Sequence, residues 1–200
     1  DEALFELLKE AESRDALRKV LIEHYFHPDT RPVLVEVGNI TAQSFEYSRE
    51  LLQRLRGEFV LEEAPQLDDA YTSESRSRGF RQIIVKAYAS TCAVCRTRIF
   101  TPAGHTAVAA AHIVPWSVSH NDDPRNGMAL CGLHHWAFDY GLLTVSTNYQ
   151  IVISPYVPEN EHTRLFRDLH QHALYLPDDE EIYPASVALE WHRKNVYVKE

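Results

Sequence analysis

The chain has 200 residues, 44% of them hydrophobic, and a formal net charge of -9. That length suits one packed core with an appended module, and no apolar run approaches the roughly 20 residues that a bilayer-spanning helix needs. Three cysteines exclude a closed disulfide framework, because one would be left over; with no charged-then-apolar leader at the start, they point to metal binding in a cytoplasmic protein.

Residues 2–26 read as helical, because Leu4, Leu7 and Leu8, then Leu17, Val20, Leu21 and Tyr25, recur at helical spacing. Ser13-Arg14-Asp15 is the expected break, and Pro28 and Pro32 the expected stop. A further helix is predicted from Thr41, as N-cap, to Arg56, with Phe45, Leu51, Leu52 and Leu55 on its inner face. Residues 57–76 are polar and acidic and read as a linker or loop. Residues 1–74 are therefore expected to form an N-terminal helical region of unassigned role, and residues 75–200 a second unit. The chain opens at Asp1 and its one methionine is Met128, so we expect a piece of a longer protein.

Phe80, Ile83, Ile84 and Tyr88 predict a helix from Ser77 to Ala89, leading into Cys92. A strand is expected from Thr106 to Ile113, then a long loop from Pro115 to Arg125, a second strand from Asn126 to Leu130, and a helix from Leu133 to Tyr140. Leu142 to Ser146 and Gln150 to Ser154 read as a strand pair around Thr147-Asn148. An apolar stretch (Ala173 to Leu176), an acidic turn (Pro177 to Glu181) and a last helix from Pro184 to Val196 complete the chain. The expected fold class is α+β, with a ββα unit behind an N-terminal helical region.

Charge is unevenly placed. Residues 1–74 carry 17 acids and 8 bases, and residues 122–200 carry 12 and 6, whereas residues 75–121 carry no acid and six bases. Those six are Arg76, Arg78, Arg81, Lys86, Arg96 and Arg98. A charge run by itself is more often a solvated helix face. This one overlaps a segment with metal-ligand and general-base spacing, so the six are candidate nucleic-acid contacts.

Cys92-Ala93-Val94-Cys95 places two thiols across a tight knuckle, and Cys131-Gly132-Leu133-His134 repeats the two-residue gap. Four ligands in two pairs make a closed, structural zinc site that would tie together the ends of the ββα unit, where the core is thin. The plainer alternative is buried cysteines with a surface histidine. His112 ends the first strand and suits a general base, since an imidazole can take a proton from water at neutral pH. Alone it would read as a satisfied core histidine; Asn126, fourteen positions on, and His135, nine beyond that, change the reading. Asn126 can hydrogen-bond the His112 ring or orient the loop, and Asn-Gly is also a common turn pair. His135 and Asp139 stand four apart, on one helix face, and suit a divalent cation. His135 could alternatively replace His134 in the zinc set. His105, His162, His170 and His172 lack partners at interpretable spacings; Trp116 and Trp191 can pack in a core or stack on bases. No Gly-rich phosphate loop occurs.

The segment Cys92 to Leu143 resembles the HNH, or ββα-metal, endonucleases, especially a restriction-endonuclease branch with an Ala-His-Ile-x-Pro-Trp stretch and a His-His-x3-Asp helix. Here those are Ala111 to Trp116 and His134 to Asp139. Leu176-Pro177 and Trp191 to Val196 are similar to the same branch. The resemblance implies a zinc-stapled catalytic unit that hydrolyses DNA phosphodiesters, leaving 5′-phosphate and 3′-hydroxyl ends, with a role in restriction of foreign DNA. By that similarity His112 is the base, Asn126 the middle residue, contacting the ring or the metal, and His135, with Asp139, a ligand of catalytic Mg²⁺, Mn²⁺, Ni²⁺ or Zn²⁺. One departure stands out. Many members carry Asp, Glu or His just before the base, as a metal ligand, and this chain has Ala111. His120, Asp122 and Asp123 are candidates to replace it, although acidic loop residues are ordinarily solvated. The rival readings are a non-catalytic zinc-stabilised DNA-binding module and an RNA-directed nuclease. DNA is the expected partner and no membrane is; the oligomeric state, homodimer included, is left open by the sequence.

Overall fold

Helices come first in the computed structural model of the protein, which describes residues 2–61 and 71–199. Residues 62–70 of the expected linker (57–76) lie outside the described residues. Helices α1 (Glu2–Lys9) and α2 (Ala11–Tyr25) part at Glu10, which is extended. The expected break at Ser13-Arg14-Asp15 instead lies inside α2, where Asp15 pairs with Arg18 and, at 2.7 Å, with Lys19. Such pairs three and four residues apart support a helix rather than interrupt it.

Helix α3 (Arg31–Arg54) begins ten residues before Thr41. Pro32 sits in its first turn, where a missing N–H costs nothing, so this proline starts a helix rather than ending one. Thr41 is mid-helix, its hydroxyl donating back to the Val37 carbonyl at 2.7 Å. The inner face is Ser44, Tyr47, Ser48 and Leu51, while Phe45 and Leu52 are exposed, which corrects the expected stripe.

Helix α4 (Ser73–Ala87) starts four residues earlier than expected because Thr72 caps it, accepting the Ser75 N–H at 3.1 Å. It therefore runs across the expected boundary at residue 74. Helices α3 and α4 lie close at Gly79: a Cβ there would sit 2.8 Å from the Ser44 carbonyl oxygen and 3.0 Å from the Tyr47 ring. Tyr47 and Leu51 of α3 join Phe80, Ile83 and Ile84 of α4 in one core with the hairpin that follows.

That hairpin is β1 (Val108–His112) antiparallel to β2 (Gly127–Cys131), with His112 opposite Gly127 and Val108 opposite Cys131. The loop between them holds a short helix, α5 (Trp116–Ser119), and a 3-10 turn over Pro124–Asn126 that Asp123 caps by accepting the Arg125 N–H at 2.9 Å. Helix α6 (Gly132–Asp139) leaves β2 directly. A second pair, β3 (Leu143–Val145) with β4 (Ile151–Ile153), then α7 (Arg164–Arg167) and α8 (Ser186–Asn195), completes the fold. The architecture is mixed helix with small sheets around a ββα unit, the expected class.

Helix α8 locks α6 in place. His192, wholly buried, stacks on Phe138 with ring centroids 3.6 Å apart; its Nδ1 lies 2.8 Å from Thr144 Oγ1 and its Nε2 donates to the Phe138 carbonyl at 3.0 Å. Among the described residues no helix is long and apolar enough to cross a membrane.

Candidate active site and metal centre

Cys92, Cys95, Cys131 and His134 bring one ligand atom each to within 4.8 Å of one another. Cys95 Sγ and Cys131 Sγ are 3.9 Å apart, and Cys92 Sγ and His134 Nδ1 3.6 Å. Two thiolates on a tetrahedral zinc should stand ~3.8 Å apart, and a thiolate and an imidazole ~3.6 Å. The Cys131 Sγ to His134 Nδ1 distance, 3.1 Å, is tighter. Burial pushes the Cys92 thiol well up, so a bound cation is what would make it a thiolate at neutral pH. Donor chemistry and spacing fit zinc. Of the two helix histidines, His134 is the one in this set.

His112 ends β1 with its ring a quarter exposed, stacked face to face on Phe80 at 4.0 Å between centroids. Gly127 opposite permits this: a Cβ there would meet Phe80 at 2.7 Å and Ile84 at 2.6 Å. The ring borders a cleft of about 430 Å³ with Arg76, Phe80, Arg81, Trp116 and Asp122 among its walls. Its Nε2 lies 2.7 Å from Asp122 Oδ1. Asp122 is buried, with Oδ2 accepting from the Tyr47 hydroxyl at 2.7 Å and lying 3.6 Å from Arg76 Nε. Burial, the largest influence, pushes this carboxyl up; His112, Tyr47 and Arg76 together outweigh it and hold it below the ordinary carboxylate range.

Asn126 is wholly buried and turned to the backbone. Its Oδ1 accepts the Val114 N–H at 2.9 Å, and its Nδ2 donates to the Val114 and Asn121 carbonyls at 3.0 Å each. Of the two roles expected for this amide, the geometry matches orienting the loop; those three bonds use its oxygen and both its hydrogens, none of them at the His112 ring.

His135 and Asp139 share one face of α6, with Nε2 and Oδ2 3.5 Å apart, close to the ~3.4 Å spanned by two ligands of one tetrahedral cation. They do not converge with His112: among the described residues the Cys92 set is the one group of three or more His, Cys, Asp or Glu ligands within that 4.8 Å limit. Neither Asn126, His135 nor Asp139 lines the His112 cleft. Ala111 is wholly buried and pairs with Met128 across the hairpin, so its methyl belongs to the core.

The basic stripe divides. Arg76 is buried beside Asp122, its guanidinium 4.1 Å from the Trp116 ring centroid, which gives Trp116 a packing role. Arg81 donates to the Val108 carbonyl at 2.9 Å on the cleft wall. Arg78 pairs with Glu74 at 2.9 Å. Lys86, Arg96 and Arg98 are exposed, Arg96 over Tyr175 and Arg98 over Phe100.

Sequence reasoning underrated Asp122 and Asp123. Both are buried rather than solvated: Asp123 caps the 3-10 turn and pairs with Arg125 at 2.7 Å, and Asp122 takes the His112 ring. The local signal was an acid beside a turn-forming Asp-Pro, ten positions after the candidate base. His120, the third candidate, is an exposed residue whose ring edges onto Trp116 at 4.7 Å.

Residues 92–146 match the sequence family described as HNH endonuclease. No curated protein matches the chain. Among solved structures, one described as a modification dependent TagI restriction endonuclease is similar with a TM-score of 0.43 and 20% identity, over 58% of this chain and 37% of that one.

Proposed function

We propose, from the match of residues 92–146 to the HNH endonuclease family model, that the protein is a metal-dependent endonuclease hydrolysing DNA phosphodiesters. The observation that carries the reading is His112: a quarter-exposed imidazole at the mouth of a basic-walled cleft, fixed from behind by a buried carboxylate. His112 takes a proton from the attacking water, whose oxygen bonds to phosphorus as the P–O3′ bond breaks; the 3′-oxygen gains a proton from solvent. The products are then 5′-phosphate and 3′-hydroxyl ends. His135 and Asp139, a pair on α6 that does not line the His112 cleft, would hold the catalytic divalent cation, whose chemistry would be Lewis-acid stabilisation of the phosphate and the leaving oxygen. Asn126 acts as a positioning residue, keeping the loop after His112 in register through Val114. Cys92, Cys95, Cys131 and His134 would form the structural zinc clasp. Lys86, Arg96 and Arg98, with Arg78, are the members of the basic stripe open to the DNA backbone, while Arg76 and Arg81 shape the cleft. The setting we favour is restriction of foreign DNA, in a cytoplasmic protein whose residues 75–200 form the nuclease unit.

The test is cleavage of matched DNA and RNA substrates in Mg²⁺, Mn²⁺ and Ni²⁺ by the wild type and His112→Ala. DNA cutting that vanishes in the variant supports the proposal. Cutting of RNA alone would move the substrate assignment. A second reading is favoured by Ala111, a core-buried residue where the resemblance places a metal ligand: a zinc-stabilised DNA-binding module without catalysis. Binding without cutting in every metal would establish that reading instead.

A further inference from the structure

We propose that Asp122 is the positioning residue of the candidate base: held by Tyr47 from α3 and Arg76 from α4, it fixes His112 with its proton on Nε2 and leaves Nδ1 as the basic nitrogen. The inference rests on the nuclease reading for its catalytic consequence, and on geometry alone for the tautomer. Asp122 Oδ1 stands 2.7 Å from Nε2. A carboxylate can only accept, so the ring must present an N–H there, and in a neutral imidazole the lone pair then falls to Nδ1. Among the described residues, Nδ1 has no hydrogen-bond partner within the protein.

The carboxylate itself is held firmly. Oδ2 takes the Tyr47 hydroxyl at 2.7 Å, and the Arg76 guanidinium lies 3.6 Å away, packed on Trp116. These are the charged and titratable groups around Asp122 from the elements packed on it: Tyr47 on α3, Arg76 on α4, His112 on β1. With Phe80 stacked on one face of the ring, tilt and rotation of His112 are restricted as well. When water yields its proton to Nδ1, both ring nitrogens carry protons, and the facing carboxylate stabilises the imidazolium. Asp122 stays ionised throughout. The unassigned N-terminal region thus reaches the chemistry through one hydroxyl: Tyr47 precedes Asp122 by 75 residues and belongs to a helix outside the family-matching segment.

The experiment uses the full zinc-loaded chain. Proton–nitrogen correlation spectra of ¹⁵N-histidine-labelled protein, with His112 assigned by His112→Gln, report which nitrogen carries the proton. The expected wild-type spectrum is the Nε2–H form, and Asp122→Asn should lose its predominance. In single-turnover DNA cleavage, Asp122→Asn should slow the chemical step by about 10²-fold or more with DNA affinity unchanged, since the wrong tautomer cannot accept the proton. Tyr47→Phe, which keeps the carboxylate, should give a smaller loss of several-fold. A wild-type ring protonated on Nδ1 overturns the proposal. So does Asp122→Asn cutting at the wild-type rate, or Asp122→Asn failing to fold while Tyr47→Phe cuts normally. If wild-type protein cuts no DNA, the nuclease reading fails, and the spectra still decide the role of Asp122.

Discussion

Acidifying the protein from pH 7 to pH 4.5 should remove the stabilising contribution of His192. Burial, the largest cause, pulls this imidazole down to about 4 from an ordinary 6.5; the Phe138 carbonyl pulls it up and Arg193 pulls it further down. Between those two values the unfolded chain binds a proton that the folded chain refuses. Stability therefore rises with pH across the window: the contribution is complete above about 6.5 and disappears as pH falls toward 4. The difference of about 2.5 units, at about 1.4 kcal/mol each, gives a ceiling of about 3 kcal/mol. Urea unfolding of zinc-loaded wild type and His192→Gln at steps from pH 7.5 to 4.5 isolates this term. Ligand protonation at the clasp and titration of Asp122 occur in both proteins and cancel in the difference. The wild-type curve should be steeper, converging on the variant at the acid end. Parallel curves would refute the reasoning, and with it the idea that a neutral His192 pins α8 to the carboxyl end of α6.

Stripping the clasp with a strong chelator should lower the thermal midpoint sharply and reduce far-ultraviolet helicity, because structural zinc in small domains contributes on the order of 10 kcal/mol; an unchanged midpoint would remove zinc from the account. Gly79→Ala brings a methyl to 2.8 Å from the Ser44 carbonyl oxygen, forcing α3 from α4. The overpacking should exceed the helix-propensity gain and cost about 1–2 kcal/mol in urea unfolding, with a midpoint at or above wild type counting against that contact. Asn126→Ala leaves one N–H and two carbonyls of the loop without their partner and should cost about 2–4 kcal/mol; a loss below 1 kcal/mol would mean solvent can replace the amide. Arg98→Ala should weaken DNA binding evenly across sequences and reduce the salt slope by about 1, measured by fluorescence anisotropy across a salt series; an unaltered slope would take Arg98 off the backbone.

The ββα unit was legible because its signals are local. A strand that ends at His112, a turn at Asn126-Gly127 and a helix that carries His134 and His135 are each written in a few adjacent residues, and the two Cys/His pairs repeat one short gap. What sequence reasoning misread depends on distance or on a two-sided rule. Pro32 reads as a stop or as a start, and only the turn before it, capped by His27, decides. Phe45 and Leu52 are as apolar as Leu51, but the path of α4 across α3 selects the stripe through Tyr47 and Ser48. Asp122 looked like a solvated loop acid because its partners Tyr47 and Arg76 lie far upstream, and no local pattern announces that three elements will close over one carboxyl.

The contact at Gly79 carries a practical lesson for dissecting the molecule. The recognisable segment begins at residue 92, but Tyr47, Arg76 and Phe80, which wall and steady the imidazole, all come earlier. A minimal fragment cut to the similarity boundary would keep every cysteine and lose the scaffolding behind its reactive ring. Truncation experiments judged by metal content alone would score such a fragment as intact, and one judged by turnover would blame the wrong residues for its silence.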